Sequence, residues 1–156
     1  MKIKRMLATC LAGIVMVSAM AIPASAAPGD PPNHTDTTFS FNFSNLGRSN
    51  TEGRDKNDDS GTYIIAYTMC SGGFDVFVDG RHSDGSSGWV DCTDKQTRGQ
   101  PHLRTANNPG LISQWVNELG YDEARLGGYK PFAFCTVSGK WSPDSIGTYR
   151  YLGSST

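Results

Sequence analysis

The amino-acid sequence predicts a mainly β protein, a small antiparallel β-sandwich with one short α-helix over about residues 109–119. In the stretch TTFSFNFS, Phe39, Phe41 and Phe43 alternate with polar residues, which is typical of a strand with one buried and one solvated face. Further short runs rich in β-branched and aromatic residues follow at hairpin spacings. Only one segment has the apolar spacing of three and four residues that is typical of a helix.

The N-terminal residues 1–26 predict a signal peptide. Lys2, Lys4 and Arg5 precede an apolar run over 6–22, and small residues at Ala24 and Ala26 fit a signal-peptidase site. The alternative is a transmembrane anchor, but the run is short for a span of about 20 residues and a cleavage site follows at once. We therefore expect cleavage after residue 26 and secretion.

The segment 27–36, APGDPPNHTD, predicts a flexible leader because its prolines and glycine favour an extended chain. Residues 37–156 then form a single β-rich domain. Removing the three basic signal residues leaves 11 of the 14 basic residues against 15 acidic ones, a net charge of about −4. No basic stripe remains, so the composition argues against nucleic acid and anionic membranes as partners.

Two strands are predicted around a short glycine-containing loop. The run TYIIAYTM and the run FDVFVDG flank CSGG, which predicts a β-hairpin. On the second strand, Phe74, Val76 and Val78 share one face, and the residues between them share the other.

The predicted helix lies in NNPGLISQWVNELG. Its apolar residues have the spacing of one helical face: Leu111, Ile112, Trp115, Val116 and Leu119. Asn108 is a suitable N-cap, Pro109 fits the first helical position, and Gly120 is a suitable residue to follow the helix.

The C-terminal part predicts more strands. PFAFCTV indicates a strand, SGK a tight turn and GTYRYLG a last strand, and Pro143 interrupts pairing because it cannot donate to a ladder.

The processed chain contains three cysteines, Cys70, Cys92 and Cys135. Outside the cell thiols oxidise, so we expect one disulfide and one remaining thiol. The sequence does not distinguish among the three possible pairs.

The run DKNDDSG at 55–61 looks like a calcium loop, with oxygen side chains at Asp55, Asn57 and Asp59. An EF-hand requires Gly at its sixth position and Glu at its twelfth, and these positions hold Ser60 and Ala66. The run is therefore interpreted as a solvated turn, with a weak, irregular calcium site as the alternative.

Catalytic signatures are absent from the linear sequence. There is no G-x-S-x-G elbow, and a cysteine–histidine pair would have to form in space. Asp75 and Asp79 lie about 13 Å apart along a strand, too far for either glycosidase geometry. We predict no catalytic residue, no metal and no cofactor.

The string GKWSPDS at 139–145 has two interpretations. In the structural one, Trp141 packs at the edge of the core and Asp144 caps a turn after Pro143. In the functional one, Trp141 and Asp144 belong to a contact loop, since Trp beside a polar group is a common binding anchor.

The order of TDTTFSFNFS, RDKNDDSGTY, ELGYDEARLGG and GKWSPDS resembles a family of short secreted proteins of Gram-positive bacteria, catalogued as a domain of unknown function. The resemblance spans most of the processed chain. It implies export and a small β-rich domain, and it brings no catalytic residues to this chain.

The leading functional hypothesis is a secreted, non-enzymatic binding domain that acts at or outside the cell envelope on an extracellular or envelope ligand. We expect neither nucleic acid nor a stable membrane span after cleavage. Two alternatives are a bacteriocin-like secreted effector and a small hydrolase whose site assembles only in three dimensions.

Overall fold

The computed structural model describes residues 33–44 and 47–153, so the predicted signal peptide lies outside the described residues. Within these ranges the elements are β1 (Thr37–Phe43), β2 (Arg48–Asn50), β3 (Arg54–Asp55), β4 (Thr62–Thr68), β5 (Phe74–Arg81), β6 (Val90–Asp91), α1 (Lys95–Arg98), β7 (His102–Leu103), β8 (Gly110–Ile112), β9 (Glu123–Tyr129) and β10 (Cys135–Ser142).

The strands form two antiparallel sheets around one core, which confirms the predicted β-sandwich. The four-stranded sheet has the order β1-β10-β4-β8. The six-stranded sheet has the order β2-β9-β5-β6, with β3 also paired to β9 and β7 to β5.

The alternation predicted for β1 is confirmed and supplies the centre of the core. Phe39, Phe41 and Phe43 are 4%, 0% and 0% exposed. The rings of Phe41 and Phe43 lie 6.2 and 5.6 Å from the ring of Phe74, which belongs to the other sheet. Each buried phenylalanine contributes about 1.5–3 kcal/mol, so this cluster joins the two sheets.

The predicted pairing of β4 with β5 is wrong, because the two strands belong to different sheets. Gly72 and Gly73 both have positive φ, at 75° and 74°, and this conformation redirects the chain from one layer to the other. The apolar residues of β4 and β5 pack into one core between the two sheets, whereas a hairpin would place the two strands side by side in one sheet.

The helix predicted at about 109–119 is wrong in position. Gly110–Ile112 forms β8 at the edge of β4, and turns follow, while the short helix lies at Lys95–Arg98. Trp115 and Leu119 are 42% and 55% exposed, so the helix-like spacing did not mark one buried face. Residues 110–112 pair instead with the free edge of β4. Gly120 does adopt a positive φ of 81°, but it closes a turn.

The β10 strand begins and ends later than predicted. It runs through the SGK expected to form a turn, with a register shift between Ser138 and Gly139, and it ends before Pro143. A side chain at Gly139 would overlap the backbone of β4, so glycine lets the two strands meet here. The expected strand start at 131–134 is a loop, and the expected last strand contributes only a bridge at Tyr151.

The outer face of the six-stranded sheet is covered by arginines. Phe77 is 5% exposed because the Arg48 guanidinium lies 3.7 Å from its ring centroid. A Cβ at Gly127 would overlap this ring, so glycine makes room for it. Asp79 accepts hydrogen bonds from Arg48 at 2.6 and 2.7 Å and from Arg125 at 2.9 Å, which satisfy a buried carboxylate.

Candidate functional site

The cysteines divide as the sequence predicted, into one disulfide and one free thiol. Cys70 and Cys135 are bonded with a Cα–Cα distance of 5.9 Å, and Cys92 is free and buried. Burial raises the pKa of the Cys92 thiol to about 11, and its Sγ donates to the Val90 carbonyl at 3.3 Å. A thiol that stays protonated at neutral pH is a poor nucleophile.

A lysine ammonium occupies the acidic run 55–61. The Lys56 side chain is 0% exposed, and its Nζ donates to the carbonyls of Asp58 and Ser60 at 2.5 and 2.8 Å. It also donates to Oδ1 of Asp144 at 2.6 Å. Carbonyl and carboxylate oxygens are the ligands that calcium takes. Here such oxygens surround a side-chain cation, but they are not the side-chain oxygens of Asp55, Asn57 and Asp59 that suggested a calcium loop. Among the described residues, no group of three His, Cys, Asp or Glu side chains is placed to hold a metal ion.

This cluster also perturbs a titratable group. Burial alone would raise the pKa of Asp58, but hydrogen bonds from Ser60 and the charge of Lys56 outweigh it, and the pKa is lowered.

The predicted contact residues Trp141 and Asp144 are buried, at 1% and 0% exposed. Asp144 Oδ2 accepts from the backbone N–H of Asn33 at 2.6 Å and of Asn57 at 3.1 Å. Asn33 belongs to the predicted leader 27–36, and its side chain also accepts from Arg54 at 2.8 Å. Asp144 therefore ties the end of that segment and the acidic run to the end of β10.

A cleft of about 340 Å³ opens beside this pinned segment. Its lining combines aromatic, hydroxyl and ionisable side chains: His34, Asp36, Tyr63, Ser142, Asp144, Ser145, Ile146, Gly147 and Tyr149. The rings of Tyr63 and Tyr149 lie 4.9 Å apart at a tilt of 49°. Nδ1 of His34 is buried and has no hydrogen-bond partner among the described residues.

Among the described lining residues, the exposed carboxylate of the cleft is that of Asp36, because Asp144 is buried and paired with Lys56. Burial raises the pKa of Tyr63, and the negative charge of Asp36 and the neighbouring Tyr149 raise it further. None of the described residues that line the cleft is Lys or Arg. Two tyrosine faces with a nearby carboxylate form an environment suited to an ammonium group.

Two further cavities lie elsewhere on the domain, one beside the predicted contact residue Trp141 and one beside basic side chains. Trp141 lines one of about 390 Å³, where the Arg54 guanidinium lies 5.5 Å from its ring centroid. Another, of about 410 Å³, is lined in part by His102, Arg104 and Arg150. His102 is already engaged there, with Nδ1 2.7 Å from the Asp75 carboxylate, so we favour the tyrosine cleft as the candidate site.

Sequence reasoning located the segment beside the cleft but missed most of its lining. Asp36 and Tyr149 stand more than a hundred positions apart and line the same cleft, since the pairing of β1 with β10 brings together the segments before β1 and after β10. Lys56 could have been found, since a single cation within an acidic run signals a shared charge interaction.

Comparisons with known proteins identify a family without an assigned function. A family model described as "Protein of unknown function (DUF2712)" matches residues 22–145. No curated protein and no solved structure matches the chain. The match confirms the resemblance to a family of unknown function, and the Gram-positive origin stays a prediction. No helix of the described residues has the length and apolar content to cross a bilayer.

Proposed function

Because this chain belongs to DUF2712, a family of proteins of unknown function, we propose from its own site that it is a secreted, non-enzymatic binding domain. It acts at or outside the cell envelope, and its ligand enters the cleft beside the 141–147 segment. The ligand presents an ammonium or quaternary ammonium group, as amino-bearing envelope polymers and peptides do.

The observation that carries this proposal is the pairing of Tyr63 and Tyr149 near Asp36, in a cleft whose described lining contains no Lys or Arg. An ammonium over a tyrosine face gains about 0.5–2 kcal/mol per ring, and the carboxylate adds a charge partner.

Rigidity of the cleft wall supports a binding role. Asp144 is fixed by Lys56 and by backbone donors from two other segments, so the wall needs little ordering when a ligand enters. In this proposal Trp141 and Asp144 position the contact loop from beneath, and exposed neighbours such as Ile146, at 83% exposed, meet the ligand.

Secretion is supported by the predicted signal peptide and by the Cys70–Cys135 disulfide, since such bonds persist in oxidising compartments. The hydrolase alternative is less well supported. Cys92 is buried with a raised pKa, and both ring nitrogens of His102 already face oxygen atoms, of Asp75 and of the Gly72 carbonyl. The effector alternative would be favoured if the purified processed protein killed neighbouring cells.

The test is a titration of the processed protein with choline and with the uncharged analogue 3,3-dimethylbutanol, followed by NMR chemical shifts. We expect choline alone to shift the signals of residues 34–36, 63 and 145–149. Asp36→Asn and Tyr149→Ala should each weaken binding about fivefold or more.

Two substitutions serve as matched controls. Asp59→Asn removes the same charge from an exposed position, and Tyr129→Ala removes a tyrosine that is 40% exposed, against 41% for Tyr149. The proposal is rejected if choline leaves the cleft signals unchanged, or if the controls weaken binding as much as the cleft variants do.

A further inference from the structure

The end of the sandwich opposite the cleft carries two exposed phenylalanines on a short loop. Phe132 and Phe134 are 84% and 79% exposed and lie between β9 and β10. Large apolar side chains this exposed are unusual when they stand together, and they mark interaction surfaces. The loop precedes Cys135, whereas the cleft follows Ser142 at the other end of the same strand.

The loop is held in a strained and fixed conformation. Phe132 has a positive φ of 54°, which is unfavourable for a bulky aromatic residue. The disulfide from Cys135 to Cys70 ties the loop to the turn 69–73, and Lys130 Nζ donates to the Gly73 carbonyl at 2.5 Å. The fold therefore presents these side chains to solvent at a cost in backbone strain.

We call this region the disulfide end and define it by the turn 69–73, the loop 130–134 and the segment 102–104. The three segments meet through the contact of Lys130 with Gly73 and the contact of His102 Nε2 with the Gly72 carbonyl at 3.0 Å.

Charge is segregated along the sandwich. None of the three segments of the disulfide end contains Asp or Glu, and together they contain Lys130, Arg104 and His102. The adjacent Asp75 is paired with His102 at 2.7 Å. The opposite end carries the acidic run 55–59. The net charge of about −4 argued against an anionic membrane as a partner. That value is a sum over the whole processed chain, whereas the acidic run and the disulfide end differ in charge.

We propose that the disulfide end attaches the protein to a phospholipid surface with anionic headgroups. Phe132 and Phe134 enter the boundary between headgroups and acyl chains, and Lys130 and Arg104 face the lipid phosphates. Exposed aromatic rings beside cations on a rigid loop fit this occupant better than a wall polymer, which offers no apolar layer. This attachment is independent of the cleft proposed above.

The experiment is vesicle flotation of the processed protein with liposomes of digalactosyldiacylglycerol alone, which has no charge and no ammonium group, and with equimolar digalactosyldiacylglycerol and phosphatidylglycerol. We expect flotation with the anionic vesicles only, and weaker flotation as salt screens the cations. Phe132→Asn with Phe134→Ser should reduce partitioning at least about tenfold. Asn tolerates the left-handed backbone of position 132, so the variant is expected to fold.

Leu119→Ser is the matched control, because it removes a 55% exposed apolar side chain from the turn before β9, at the end of that strand opposite the loop 130–134. This control should float as the unmodified protein does. The proposal is overturned if the unmodified protein does not float with anionic vesicles, floats equally with digalactosyldiacylglycerol alone, or loses as much binding in the control as in the double variant. Binding to purified wall polymer without binding to vesicles would likewise overturn it.

Discussion

Replacing Lys56 by methionine tests whether the buried ammonium organises the acidic run. Methionine keeps much of the volume of the lysine stem but removes every donor. The change leaves Oδ1 of the Asp144 carboxylate, 0% exposed, without its charged partner at 2.6 Å, and removes the Lys56 donor from the Asp58 carbonyl. The Ser60 carbonyl also loses Lys56 but keeps the Gln114 side chain as a donor at 3.0 Å.

The structure sets the expected size of the effect. Removing one partner of a buried ion pair costs about 3–5 kcal/mol, and each buried acceptor left unpaired costs about 1–3 kcal/mol. Since a domain of this kind is stable by about 5–15 kcal/mol, Lys56→Met should remove a large part of its stability.

Urea unfolding at pH 7 measures this loss. With a denaturant dependence of about 1–3 kcal/mol per molar urea, the midpoint should fall by about 2 M. Lys95→Met is the matched control, because Lys95 pairs with Asp91 at 2.6 Å with side chains 46% and 35% exposed, and such pairs contribute about 0.3–0.5 kcal/mol. If Lys56→Met destabilises the domain no more than Lys95→Met does, the argument fails.

The same cluster predicts an acid limit. The lowered pKa of Asp58 means that its stabilising contribution is present above the unfolded value of 3.8 and is lost as the pH falls through the folded pKa. We expect unfolding free energies of the unmodified protein to fall below about pH 4, with a smaller Asp58 contribution in Lys56→Met. An acid dependence identical in both proteins would contradict the assigned charge interaction.

Three further outcomes are expected. Cys70→Ser with Cys135→Ser opens a link spanning 65 positions and should cost about 4 kcal/mol in unfolding free energy by the chain-entropy model; unchanged stability would refute that role. Cys92 should resist iodoacetamide in the folded protein at pH 8 and react once urea unfolds it, and rapid labelling of the native protein would contradict this. Because burial favours the protonated thiol, the contribution of Cys92 to the unfolding free energy should be lost as the pH rises from 9.0 to about 11. Gly127→Ala should lower the melting temperature because the new Cβ overlaps a packed ring, while Gly88→Ala, with open space around it, should leave it unchanged.

Local patterns predicted single strands well and their partners poorly. The alternation of Phe39, Phe41 and Phe43 fixes which face of β1 is buried, because side chains of a strand point alternately to its two faces. The β4 and β5 strands were also recognisable, but their assignment to separate sheets depends on which distant strands offer a free edge. The helix prediction failed at Gly110–Ile112 for the same reason, since pairing with β4 outweighed a weak helical preference.

The candidate site shows most clearly which features the sequence determines and which depend on the tertiary structure. By itself the sequence determined a cysteine-poor β-rich chain with an acidic run, a distinctive WSPDS segment and the expected number of disulfide and free cysteines. Only the tertiary structure decided that Lys56 neutralises Asp144 and that Asp36 and Tyr149 line one cleft. It also separated the exposed phenylalanines from the acidic run. Composition and periodicity depend on residues that are close together in the sequence. Charge pairing and cleft formation depend on distances between residues that are far apart in the sequence, and the order of the chain does not set these distances.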